Sequence, residues 1–186
     1  MPRTFRWLAW FAALFMLATI LWGLSLRMVD IRDRTDATAQ RLATVHRLLG
    51  TAAAMLIVFV NSLVVTYFIG TARWVKEVAE PYRLDVDLVA RAQKLKRGVF
   101  PFALIHMLMA VGVAALGAAS DPAARLRLQP PGGLSWTTLH LLAACAGLCL
   151  LVWGSLHQAV AVGAQHELIN KVLQLVATIR RERGLE

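Results

Sequence analysis

The chain has 186 residues, 58% of them apolar and 17% charged, against about 45–50% and 25% in a soluble domain. That balance excludes a disordered chain, which is poor in apolar residues, and two cysteines exclude a disulfide-dense scaffold. The formal net charge of +9 sits between long apolar runs. It therefore reads as a determinant of membrane topology and a contact for anionic lipid, with no nucleic acid among the expected partners.

Four stretches lack Asp, Glu, Lys and Arg for the roughly 20 residues that cross a bilayer core as a helix. They are 7–26, 48–72, 99–120 and 129–165, the last holding a span at 134–164. A helix pairs its backbone polar groups internally, as lipid requires. A membrane barrel would need alternating segments of about ten residues, and the sequence has none. The sequence thus predicts an all-α fold, a four-span transmembrane helical bundle forming a single membrane domain over 1–186.

The first span follows Arg3 and Arg6. Its run exceeds the roughly 7–15 residues of a cleaved signal, so it is expected to be retained. The second span leads into a hairpin over 73–98. Val75, Val78, Ala79 and Tyr82 continue an apolar stripe at helical spacing. Pro81 disfavours helix at Glu80 and places a turn around 80–84. Asp85 or Asp87 then suits the start of a third helix, with Leu84, Leu88, Val89, Ala92 and Leu95 as its stripe. Pro101 falls where that helix enters the bilayer, a position where it would kink it. Pro and Gly at 130–133 mark a stiff turn before the fourth helix. No proline interrupts 135–183, a length of roughly 70 Å as helix, so a tail over 165–186 extends beyond the bilayer. Its stripe of Leu168, Ile169, Val172, Leu173, Val176 and Ile179 is expected to pack on the hairpin as a three-helix cytoplasmic bundle, so that helices 2–4 extend into the cytoplasm. The alternative lays the tail on the membrane surface.

Lys and Arg favour the cytoplasmic face. The side holding both termini and the hairpin carries 13 of them, and the other side carries 7, from Arg27 to Arg47 plus Arg125 and Arg127. Both termini are therefore expected to be cytoplasmic, in the inner (plasma) membrane of a bacterium.

The histidines are the sharpest chemical feature. His46 stands at the outer entry of the second span, His106 in the third, and His140 and His157 in the fourth. Ionisable groups within spans are costly and often functional. Histidine commonly holds haem iron, and a helix bundle can host that cofactor. The run Thr44-Val45-His46-Arg47-Leu48-Leu49-Gly50 resembles segments in the membrane anchors of succinate dehydrogenases and in haem A synthases. In those families such a segment lies near quinone or haem. Ala43 stands where the first family has Ser and the second Glu, and seven residues assign no family.

If a b-type haem is bound, the expected ligands are His46 and His140 near the outer face, with Arg47 meeting a propionate through its bidentate fork. His106 with His157 is the second choice, nearer the cytoplasm. Span edges put the two members of either pair at depths differing by roughly 10 Å. His140 and His157 lie about 100° apart around their helix, which counts against two stacked haems. The alternative has neutral histidines, with Asn61, Ser62, Thr66 and Gln158, hydrogen-bonding between helices.

Cys145 and Cys149 lack further ligands nearby and read as small buried apolar residues. Spacings of four at Gly50 and Ala54, Ala110 and Ala114, and Ala143 and Gly147 favour close helix packing. The sequence carries no phosphate-binding loop, zinc-protease motif or hydrolase elbow, and no Asp or Glu within a span. The leading expectation is a non-catalytic accessory, anchor or scaffold subunit that self-associates or joins other membrane subunits. The competing one is a haem-binding electron-transfer subunit near a quinone.

Overall fold

The computed structural model describes residues 1–26, 36–121 and 130–184. Among them the chain forms four long helices: α1 (Pro2–Ser25), α2 (Ala37–Tyr82), α3 (Val86–Ser120) and α4 (Trp136–Glu182), with a 3₁₀ turn at Pro131–Gly133. All four are long and apolar enough to cross a membrane. Of the basic residues expected on the outer side, Arg27, Arg32, Arg34, Arg125 and Arg127 lie outside the described residues.

Local chemistry sets the ends of the helices. Asp36 caps α2, its carboxylate accepting from the backbone N–H of Thr38 and Ala39 at 2.8 and 3.1 Å. Asp85 caps α3 through the Asp87 N–H at 2.9 Å, and Ser135 caps α4 through the Thr138 N–H at 3.1 Å. Each satisfies a donor that the first helical turn leaves unpaired. Pro81 is accommodated in the last turn of α2, so the chain turns at Arg83, whose φ of 50° is left-handed. α3 continues as helix through Pro101.

α2 and α3 pack extensively, as do α3 and α4, while α1 lies against both α2 and α4. The four helices thus form a ring in chain order, in which α2 and α4 meet across a diagonal. The main core runs along the whole length of α1. Phe5, Ala12, Met16 and Ile20 of that helix meet Ile57, Val64 and Phe68 of α2, Ala110 of α3 and Leu151 of α4. Gly147 makes room for Met109, since a Cβ there would approach its sulfur to 2.6 Å.

At about 1.5 Å per residue, α2 and α4 are nearly twice as long as α1. Beyond the α1 start, their extensions and the start of α3 form a second core. Leu168 and Val172 of α4 are buried against Ala72 and Val75 of α2 and Leu88 and Ala92 of α3. The tail stripe is therefore covered by the hairpin at Leu168, Val172 and Val176, whereas Leu173, expected in the same stripe, is 50% exposed because it lies around the helix from them. The end of the bundle with the Arg83 turn is termed the hairpin end below.

One expectation about α4 is corrected. Cys145 and Cys149 are exposed, not buried. They share the outward stripe of Leu142, Trp153, Leu156 and Val160, all exposed, because helical spacing carries that face away from the other three helices.

Candidate functional site

His46 and His140 come together at the end of the bundle opposite the hairpin. Their ring centres are 6.2 Å apart, with an angle of 76° between the planes. His46 lies ten residues into α2 and His140 only five into α4, and the diagonal of the ring points one at the other.

Glycines on the two remaining helices seat these rings. A Cβ at Gly23 of α1 would stand 2.7 Å from His46 Cε1, and one at Gly117 of α3 would stand 3.0 Å from His140 Cε1. All four helices therefore meet here: two supply an imidazole, and two supply a glycine against it, where a Cβ would force a shift at Gly23 and crowd the ring at Gly117.

The two rings differ in their bonding. His140 Nδ1 lies 3.1 Å from the Val113 carbonyl oxygen. As the donor in that bond it leaves Nε2 with a free lone pair, the arrangement typical of a metal-binding histidine whose second nitrogen is tied to a carbonyl. The His46 ring meets the Thr19 backbone, but its Nδ1 is buried and has no hydrogen-bond partner. Burying an unpaired group of this kind costs about 1–3 kcal/mol, a cost that a bound ligand can relieve.

The spacing of the pair can be tested against a shared metal. Two imidazoles on opposite sides of one ion stand roughly 6 Å apart between ring centres, from metal–nitrogen bonds of about 2 Å plus about 1 Å from nitrogen to ring centre on each side. The observed 6.2 Å fits. Among the described residues no cluster of three or more His, Cys, Asp or Glu side chains is placed to hold a metal ion. Two nitrogens alone do not make a protein metal site. They do suffice where a macrocycle supplies the equatorial donors, as in haem.

Arg47 lies at the rim of this site. Its guanidinium Nη1 donates to Asp121 Oδ2 at 2.6 Å, and Nη2 reaches Thr44 Oγ1 at 3.3 Å. It thus holds a carboxylate next to His46, one supplied by the C-cap residue of α3.

His106 and His157 are placed differently. His106 is fully buried, with Nδ1 3.1 Å from Asn61 Oδ1 and Nε2 3.2 Å from the Leu150 carbonyl oxygen. Gln158 Nε2 also donates to Asn61 Oδ1, at 3.0 Å, and Asn61 Nδ2 donates to the Ile57 carbonyl at 2.8 Å. This knot joins α2, α3 and α4, and both ring nitrogens of His106 face protein oxygens. His157 is exposed, packs its ring on Phe102, and has Nδ1 3.1 Å from the Trp153 carbonyl oxygen of its own helix. The two are not brought face to face as His46 and His140 are.

Sequence reasoning did not single out the three glycines that seat histidines. The third is Gly154, whose Cβ would lie against the His106 ring. A glycine inside an apolar run was the available signal. A second buried polar contact, from Gln165 Nε2 to Thr71 Oγ1 at 3.0 Å, had only the in-span polarity of Gln165 to announce it. No protein-family model matches the chain, and no curated protein or solved structure matches it either.

Proposed function

We propose that this chain is a membrane haem protein. In this reading it crosses the membrane four times with both termini cytoplasmic, and it binds one b-type haem between His46 and His140. It serves a membrane complex as a non-catalytic electron-transfer subunit. The observation that carries the reading is the facing pair of imidazoles at 6.2 Å. The buried, unpartnered His46 Nδ1 and the two glycine seats support it.

A haem held there supplies a one-electron couple. The chain's own residues do the rest. His46 and His140 would hold the haem iron. The Val113 carbonyl orients His140 and, by accepting its proton, makes the ring more electron-donating. Gly23 and Gly117 let α1 and α3 approach the two rings closely. Arg47 already engages one carboxylate, and a haem propionate is a second acceptor of the same geometry. The polar knot at His106 acts in this reading as structural glue between helices. The electron partners are other membrane subunits or a quinone.

The test is the visible spectrum of detergent-purified protein made with ample haem, oxidised and then dithionite-reduced. A Soret band that shifts on reduction is expected. It should vanish in His46→Ala and in His140→Ala, and persist in His157→Ala. Absence of the band, or its survival in both of the first two variants, overturns the haem. Absence leaves the bundle as an accessory subunit without a cofactor.

A further inference from the structure

We propose that the groove between the start of α1 and residues 152–159 of α4 binds one anionic phospholipid, with its phosphate on Arg3 and Arg6 and an acyl chain along the groove. This rests on the membrane-crossing reading above and is independent of the haem.

The groove exists because small residues line it. Ala9 and Ala13 of α1 face Ser155 and Ala159 of α4, leaving a shallow groove of about 50 Å³ with Arg6 and Trp10 at its mouth. A second concavity continues from that mouth, lined by Arg3, Arg6, Trp7 and Trp10. Arg6 and Trp10 belong to both, so the apolar groove opens directly onto a cationic, aromatic rim. Ala13 stands seven residues beyond Arg6, about 10 Å along the helix, so the upper part of an acyl chain can lie along the shallow groove rather than inside it.

Charge selects the occupant. Arg3 and Arg6 stand one turn apart, and both are exposed. The ion pairs formed among the described residues, Arg47 with Asp121 and Arg73 with Glu77, involve neither of them. Their forks match phosphate oxygens bidentately. A zwitterionic headgroup offers the same phosphate but carries its own cation, which competes for it. Trp7 and Trp10 are 78% and 50% exposed, and indoles with an apolar body and an N–H donor settle at headgroup level. The rim also lies on the basic side of the chain, the side expected to face the anionic cytoplasmic leaflet.

The experiment uses the whole purified protein in detergent, titrated with phosphatidylglycerol or phosphatidylcholine. Native mass spectrometry counts retained lipid, and thermal unfolding reads the stabilisation. One phosphatidylglycerol should be retained preferentially and raise the midpoint. Arg3→Gln/Arg6→Gln should weaken it roughly thirtyfold, the combined effect of two surface cations, down to the level of phosphatidylcholine. Ala159→Leu, which fills the groove and leaves the charges, should weaken both lipids, with circular dichroism confirming the fold. Equal retention of the two lipids, or retention of phosphatidylglycerol unchanged by the double arginine variant, overturns the proposal. Extraction of membranes at alkaline pH separates the two layers of inference. Release of the protein there refutes the membrane reading. Retention there without lipid preference refutes only the lipid site.

Discussion

Replacing Gly154 with alanine adds one methyl group where the bundle has no room. The new Cβ would stand 2.7 Å from His106 Cε1, closer still to Nε2, and 3.2 Å from Phe102 Cδ1. Neither neighbour yields easily. The His106 ring is fixed from both sides by Asn61 Oδ1 and the Leu150 carbonyl, and Phe102 is stacked between α3 and the Trp153–His157 face of α4. Overpacking of this kind costs about 1–3 kcal/mol. Moving the ring forfeits one hydrogen bond, since a neutral imidazole has a single N–H for the two facing oxygens, worth roughly 0.5–1 kcal/mol. Against this, alanine gains about 1 kcal/mol over glycine in a helix. The net expectation is destabilisation by about 0.5–3 kcal/mol. Gly163 is the control, because nothing lies within 4 Å of a Cβ built there, and Gly163→Ala should stabilise by up to about 1 kcal/mol. Both are read from denaturant-unfolding midpoints in detergent, followed by circular dichroism. A double-mutant cycle isolates the cause: in a His106→Ala background the cost of Gly154→Ala should fall by most of the overpacking contribution. If Gly154→Ala unfolds at or above the wild-type midpoint, or if its cost persists without the His106 ring, the packing argument is wrong.

Gly117→Ala and Gly23→Ala press on the rings of His140 and His46. If the proposed haem is bound, each should shift its spectrum or lower its retention while leaving helix content unchanged, as judged by absorbance and circular dichroism on one sample. Leu168→Ala removes a side chain that is 2% exposed in the hairpin-end core. It should cost about 2–4 kcal/mol and make the turn near Arg83 more sensitive to limited proteolysis, while the Soret band stays. Arg47→Gln breaks a half-exposed ion pair with Asp121. It should change the unfolding midpoint by no more than the equivalent of about 1 kcal/mol, and a larger loss would show that the pair does more than clamp α2 to the end of α3.

The fold was largely legible because its signals are local. Charge-free runs marked the four long apolar helices, and Pro81 with Asp85 marked the turn and cap that divide α2 from α3. The apolar repeat at Leu168 and Val172 implied a partner, which turns out to be the face holding Val75 and Leu88. What periodicity could not give was which face of α4 looks outward. Cys145 and Cys149 resemble any small core residue in a helix that is apolar all round, and only the ring arrangement turns them away from the core.

The sequence paired His46 with His140 but misjudged their relative depth. Span edges put His46 outside the bilayer and His140 well within it, a gap of roughly 10 Å, yet the two rings lie 6.2 Å apart. The error lay in taking a charge-free window as the start of a packed helix. Arg47 closed that window at Leu48, but α2 begins at Ala37. Arg47 does not end the bundle, because its charge is met by Asp121 at the tip of α3. Axial register in a bundle follows from which side chains interlock, and here two glycines that meet histidines set it. Those glycines are also why the pairing escapes motif reading. Each ring is aimed by a residue on a different helix, 23 positions away in both cases, and its contribution is the absence of a side chain. Long polar or charged residues announce themselves in an apolar run, whereas a hydrogen atom in place of a methyl becomes informative only once the neighbouring helix is known.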